Sequence, residues 1–171
     1  MSDSSASLRR LGNSGLAVSV VGLGTNNFGM KLDLEQSRAV VNAALEHGIN
    51  LFDTSDSYGA SEQRLGEILQ GRRDDVLIAT KFGSDVRSRG QDNGVDGGAR
   101  GSRRYIRRAV ENSLRRLRTD WIDLAQPTVS SVIAGATSPE QVAANVKAGQ
   151  WIPTTDDLAE IDRITQLHRE G

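Results

Sequence analysis

The chain has 171 residues, enough to bury one good core, so a single domain over residues 1–171 is the expectation. Its 37% hydrophobic content, 25% charged content and net charge of -1 give no global electrostatic pull toward nucleic acid or an anionic membrane surface. The absence of cysteine excludes a disulfide framework, thiolate zinc sites and a cysteine nucleophile.

The opening MSDSSASLRR is polar and lacks the apolar stretch of a secretory signal, and no later run approaches the roughly 18 apolar residues of a membrane span. A cytoplasmic protein is expected. After a polar lead, the turn signal at Asn13 to Gly15 and the apolar run Leu16 to Gly24 predict a hairpin leading into a first buried strand. The loop GLGTNNFG follows. Its Gly22, Gly24 and Gly29 would let a ligand approach the backbone or serve turn geometry alone, and their spacing is not that of a GxGxxG phosphate cradle.

Leu34 to His47 reads as an amphipathic helix with Val40, Val41, Ala44 and Leu45 inward and Gly48 as its stop. Ile49 to Thr54 is a short apolar strand. Ser61 to Leu69 is a second helix with Leu65, Ile68 and Leu69 inward and an imperfect capping box at Ser61, and Val76 to Lys81 is the next strand. This stretch puts Asp53, Tyr58 and Lys81 at or just past strand ends, where α/β barrels do their chemistry. A carboxylate, a phenol and an ammonium there suggest proton transfer. Taken singly, Asp53 reads equally as a turn cap, Tyr58 as a rim aromatic and Lys81 as a solvated strand end.

Gly83 to Gly101 is a loop longer than ordinary connections. Arg103 to Arg118 is a third helix with Ile106, Val110, Leu114 and Leu117 inward, and its arginines read as a solvated outer face rather than a nucleic-acid groove. Trp121 to Leu124 is a fourth strand. To this point strands and helices alternate, which predicts an α/β fold with a parallel sheet. Only Ala125 to Thr128 separate Leu124 from the next strand-like run, VSSVIAG, whereas a parallel crossover needs about a dozen residues. The two runs therefore either form an antiparallel hairpin or join sequences that were once far apart. Pro139 to Ala148 is a helix capped by Ser138, and Thr155 to Leu167 a last helix with Leu158, Ile161, Ile164 and Leu167 inward.

The motifs LGNSGLAVSVVGLGTNNFG, FDTSDSYGASEQRLG, TKFG, YIRRAVENSLRRLRTDWIDL and SVIAGATSPEQVAAN together resemble the aldo-keto reductase family from about Leu8 to Gln166. The resemblance implies a (β/α)8 TIM barrel that binds NADPH across its mouth and reduces an aldehyde or ketone. It implies Tyr58 as proton donor, Lys81 as the cation beside it and Asp53 as the carboxylate pairing with that lysine. The chemistry is sound: a phenol with a pKa of about 10 is a poor acid near neutrality until a neighbouring ammonium favours the phenolate.

The same resemblance implies Gly24, Thr25 and Asn26 beneath the nicotinamide, and Gly135, Ala136, Thr137, Gln141 and Asn145 around the adenine and its 2′-phosphate. An ordinary capped helix explains Ser138 and Pro139 equally well. Where the family often has a carboxylate one residue before the asparagine, this chain has Ala144.

Two departures stand out. The family's substrate-orienting histidine has no counterpart, since His47 and His168 fall on helices elsewhere. A complete barrel takes about 250 residues, so strands five to seven are expected to be missing, with a deletion junction near 124–127. The implied fold is an incomplete barrel of strands one to four plus eight, whose open edges favour self-association. Two functions follow as expectations: an NADPH-dependent carbonyl reductase, or a non-catalytic nucleotide-binding or oligomerising remnant. No metal centre is expected.

Overall fold

The computed structural model describes residues 6–83, 102–124, 132–150, 154–156 and 159. Strand β1 (Leu8–Arg10) pairs antiparallel with β2 (Ala17–Ser19), the expected hairpin. The chain breaks at Val20 and resumes as β3 (Val21–Gly24), so the single run Leu16 to Gly24 is two strands serving two sheets. Ser19 turns the corner. Its Oγ donates to the Val21 carbonyl, its N–H donates to Asn50 Oδ1, and Asn50 Nδ2 donates to the Ala17 carbonyl.

Helix α1 (Leu34–Glu46) starts in a complete capping box, with Asp33 accepting from the Gln36 N–H and Gln36 from the Asp33 N–H. Val40, Val41 and Ala44 are buried as expected, while Leu45 is half-buried. Strand β4 (Leu51–Asp53) leads through a turn to α2 (Ser61–Ile68), which buries Leu65 and Ile68 with Leu69 just beyond. Its cap is not Ser61. Ala60 holds that position without a side-chain bond, because the Ser61 hydroxyl is drawn inward to Thr25 and Thr54.

Strand β5 (Leu77–Ala79) follows a 3-10 turn at Arg73–Asp75. Helix α3 (Arg103–Leu117) begins on the Ser102 cap and ends with Arg118 in the left-handed conformation at φ 53°. Its buried face is Tyr105, Ala109, Asn112, Ser113 and Leu117, whereas Ile106, Val110 and Leu114 are half-buried. At its C-terminal end α3 meets α2 backbone to backbone. A Cβ on Gly66 would lie 2.5 Å from the Leu117 carbonyl carbon, so small and polar residues line the contact. The expected solvated face holds for Arg103, Arg104, Arg107, Arg115 and Arg118, but Arg116 points in.

Strands β3, β4, β5 and β6 (Val132–Gly135) form one parallel sheet in the order β5-β4-β3-β6. α4 (Pro139–Gly149) follows β6, buries Val142 and Val146, and packs against α1 and β3. The strand expected at Trp121 to Leu124 shrinks to one parallel bridge between Leu124 and Ala79. There Asp123 takes the place of a strand: its carboxylate accepts the Ile78 N–H at 2.9 Å and the Arg73 guanidinium at 2.6 Å, and that guanidinium stacks on Trp121. The two runs weighed as a hairpin lie on opposite sides of the sheet, one bridged to β5 and the other paired with β3. Most of the last expected helix, including Leu158, Ile161, Ile164 and Leu167, and residues 84–101 of the long loop lie outside the described residues.

One core runs between the sheet and the helices, joining Val21, Leu23, Phe52, Ile78, Val40, Leu65, Leu117 and Val146. Side chains alternate along strands, so Phe52 and Ile78, paired across β4 and β5, face this core. Asp53 and Ala79, the next pair, face the opposite side. No helix among the described residues is long and apolar enough to cross a membrane.

Candidate active site

The sheet register assembles the site. Gly135, Gly24, Asp53 and Ala79 lie side by side across four strands at their C-terminal ends, all facing away from the helices. Lys81 sits two residues past Ala79 and shares that face. Its ammonium reaches both Asp53 oxygens at 2.5 Å and the Thr54 carbonyl at 3.2 Å. The Asp53 side chain is 12% exposed and that of Lys81 41%, so the pair lies at the sheet's open mouth rather than in the core. Lys81 Nζ also stands over the Tyr58 ring, 5.3 Å from its centroid, and Tyr58 itself is half-buried. The three residues singled out from sequence are thus one cluster.

Backbone bonds lock the loop that carries Tyr58. Asp56 N–H donates to the Lys81 carbonyl, Thr54 N–H to the Ala79 carbonyl and Tyr58 N–H to the Ser55 carbonyl. Beneath it lies a knot of three fully buried hydroxyls: Thr25 Oγ1 is 2.7 Å from Ser61 Oγ, which is 2.9 Å from Thr54 Oγ1. Thr25 also donates its N–H and its hydroxyl to the Asp53 carbonyl. The Thr25 side chain is therefore spent on holding Asp53, and only its backbone is left for a ligand. Sequence reasoning missed Ser61, Thr54 and Glu62. The signal was the run of small hydroxyl residues around Asp53, too common in turns to single out.

Gly24 lies beside Asp53 and Gly135 one strand further on, so neither places a side chain on the inner face there. Exposed Asn26 reaches toward it: a Cβ on Gly135 would lie 3.4 Å from its carboxamide oxygen and 3.8 Å from the Asn27 amide. Ala136 is buried in the core and offers a ligand only backbone, while half-buried Asn145 lies on α4. Gln141 closes back on the strand end, its carbonyl accepting the Thr137 N–H at 2.7 Å and the Thr137 hydroxyl at 3.0 Å. At the start of α4, hydrogen bonds from Ser138 and from its own backbone hold the exposed Glu140 carboxyl below the usual carboxylate range.

His47 caps the C-terminus of α1, its N–H bonded to the Ala43 carbonyl, and takes no part in the site. His168 lies outside the described residues. Among the described residues no cluster of three or more His, Cys, Asp or Glu side chains has metal-binding geometry.

A parallel βα sheet with a carboxylate, an ammonium and a phenol gathered at its strand ends defines an α/β protein. The aldo/keto reductase family pattern matches residues 20–126, and the chain belongs to that family. It is 41% identical over 122 residues to "Uncharacterized oxidoreductase YqkF" of Bacillus subtilis, covering 69% of this chain and 37% of that protein. A crystal structure of a putative aldo-keto reductase from Pseudomonas aeruginosa matches 91% of this chain and 55% of its own, at 34% identity and TM-score 0.59. An aldo-keto reductase from Klebsiella pneumoniae, solved in complex with NADPH, matches 63% of this chain and 34% of its own at 31% identity and TM-score 0.50. The chain thus spans little more than a third of the length of YqkF.

Proposed function

We propose that this chain carries the acid–base half of an NADPH-dependent aldo-keto reductase and reduces an aldehyde or ketone. The observation behind the proposal is the Asp53–Lys81 pair, with Nζ 2.5 Å from both carboxylate oxygens and above the Tyr58 ring. Tyr58 gives its phenolic proton to the carbonyl oxygen, becoming phenolate. The Lys81 ammonium stabilises that phenolate, Asp53 holds the ammonium in place, and a proton from water restores the phenol. NADPH, when bound, supplies the hydride that adds to the carbonyl carbon.

The residues fit a dinucleotide in kind. Gly24 and Gly135 put no side chain on the face beyond Asp53, and the carboxamides of Asn26 and Asn27 lie beside Gly135. Thr137, Gln141 and Asn145 offer neutral hydrogen-bonding groups along the α4 end, and the first turn of that helix favours an anion. The fold behind this reading is an incomplete barrel, strands one to four plus eight. Its support is the sheet order, in which β6 joins the first strand of the parallel set, together with a family match that ends at residue 126, beside the proposed junction at 124–127.

A second reading, a non-catalytic remnant that binds nucleotide or self-associates, draws on the edges. β6 pairs only with β3, and beyond β5 lies a single bridge, among the described residues. Titration of NADPH by fluorescence, followed by cofactor consumption with a panel of aldehydes and ketones, separates the two. Saturable binding with turnover is the expected result. Binding without turnover supports the remnant, and no binding at millimolar NADPH overturns both nucleotide readings.

A further inference from the structure

The most buried charge in the described chain is not in the catalytic cluster but behind it. Glu62, in the first turn of α2, is 1% exposed. One carboxylate oxygen accepts the Thr80 hydroxyl at 2.7 Å and the other the Arg116 Nε at 2.6 Å, and Arg116 also donates to Ser113 Oγ. Resting on the acid–base reading above, we infer that Glu62 is a positioning residue for Lys81, acting through Thr80.

The geometry of a strand exit carries the argument. Thr80 and Lys81 are consecutive, so their side chains point to opposite faces. Thr80 is turned toward the helices and Lys81 toward Asp53 and Tyr58. Fixing the Thr80 side chain fixes the rotation of the chain just where the regular strand has ended at Ala79. The Thr80 N–H is bonded to the Leu124 carbonyl and the Lys81 carbonyl accepts from Asp56, so the backbone is pinned on both sides. The Thr80 hydroxyl adds a side-chain restraint on the helix-facing side, and a buried carboxylate holds it with a short charge-assisted bond.

A buried ion pair is a poor way to gain stability, because well-packed apolar side chains serve as well or better. What Glu62–Arg116 supplies is a fixed point with defined direction. The pair forms because Gly66 lets α2 and α3 touch, which brings Arg116 within reach. Helix α3 thereby becomes part of the support of Lys81.

The chain has only three lysines, Lys31, Lys81 and Lys147, and the other two are exposed. Competitive acetylation with trace acetic anhydride, read by mass spectrometry, therefore reports on Lys81 against two internal references without requiring turnover. An amine locked against a carboxylate reacts slowly, so Lys81 is expected to label about tenfold below the references. Thr80→Val removes the hydroxyl at nearly constant shape and is expected to raise the Lys81 ratio about threefold or more, and Thr80→Ser to restore it.

Asn50→Ala breaks the bonds to Ser19 and Ala17 at the other end of the strands, away from Thr80 and its partners, and is expected to leave the ratio unchanged. A ratio indifferent to Thr80→Val, or moved equally by Asn50→Ala, overturns the inference while leaving the acid–base reading intact. A Lys81 that labels like Lys31 and Lys147 in the unsubstituted chain removes the Asp53–Lys81 pairing, and both readings with it.

Discussion

The two halves of the site are built differently. Around Asp53, Lys81 and Tyr58 the polar groups are buried, mutually bonded and tied to three elements, through the hydroxyl knot of Thr25, Ser61 and Thr54 and through Glu62. Around Gly135 and the start of α4 they are exposed or half-buried, and their bonds are local: Thr137 to Gln141, and Ser138 to Gln141. The proposed acid–base group is held by buried bonds from several elements, whereas the proposed nucleotide half is shaped by backbone with locally bonded side chains. That division suits the chemistry, because proton transfer depends on ångström-level placement while a long cofactor distributes its binding over many weak contacts.

The contrast is open to attack at its most rigid point. Gly66→Ala pushes a Cβ into the Leu117 backbone, separates α2 from α3 and is expected to cost about 3 kcal/mol, read as a fall in urea midpoint at constant slope. A change below about 0.5 kcal/mol, the scale of an ordinary surface substitution, would mean that the two helices are not in contact. On the proposed nucleotide side the effects should be smaller. Asn145→Ala is expected to weaken NADPH binding about fivefold by fluorescence with the melting temperature unchanged, as for one lost hydrogen bond.

Ser138→Ala removes the α4 cap and is expected to cost about 1 kcal/mol, read by urea denaturation. It also removes the larger cause of the lowered Glu140 carboxyl, the Ser138 hydrogen bond. A depressed folded value means that this contribution is complete above the ordinary carboxylate range and is lost as pH falls through the folded value. The gap between Ser138→Ala and the unsubstituted chain should therefore narrow in acid and stay constant above about pH 5.

Much of this fold is legible in the residues. The apolar positions Val40, Val41 and Ala44 with the stop at Gly48 announce α1, and Ser138 with Pro139 announces α4 to within a residue. The apolar runs around Phe52 and Ile78 mark the parallel strands, and the register then brings Asp53 and Lys81 together. What sequence hides is tertiary. Nothing in Ser61 says that its hydroxyl will leave the cap for Thr25 and Thr54, and nothing in α3 says that its C-terminal turn will meet the backbone of α2 at Gly66. Trp121 to Leu124 has strand composition, yet Asp123 replaces most of its ladder with one carboxylate. Glu62 and Arg116 are 54 residues apart, and each alone reads as an ordinary surface charge.

Tyr58→Phe, compared with the unsubstituted chain in NADPH-dependent carbonyl reduction and with cofactor affinity measured on both, shows whether Tyr58 and its locked partners form a working proton donor. Turnover should fall by about 100-fold or more at nearly unchanged NADPH affinity. Equal turnover in the two proteins would mean that Tyr58 is not the proton donor.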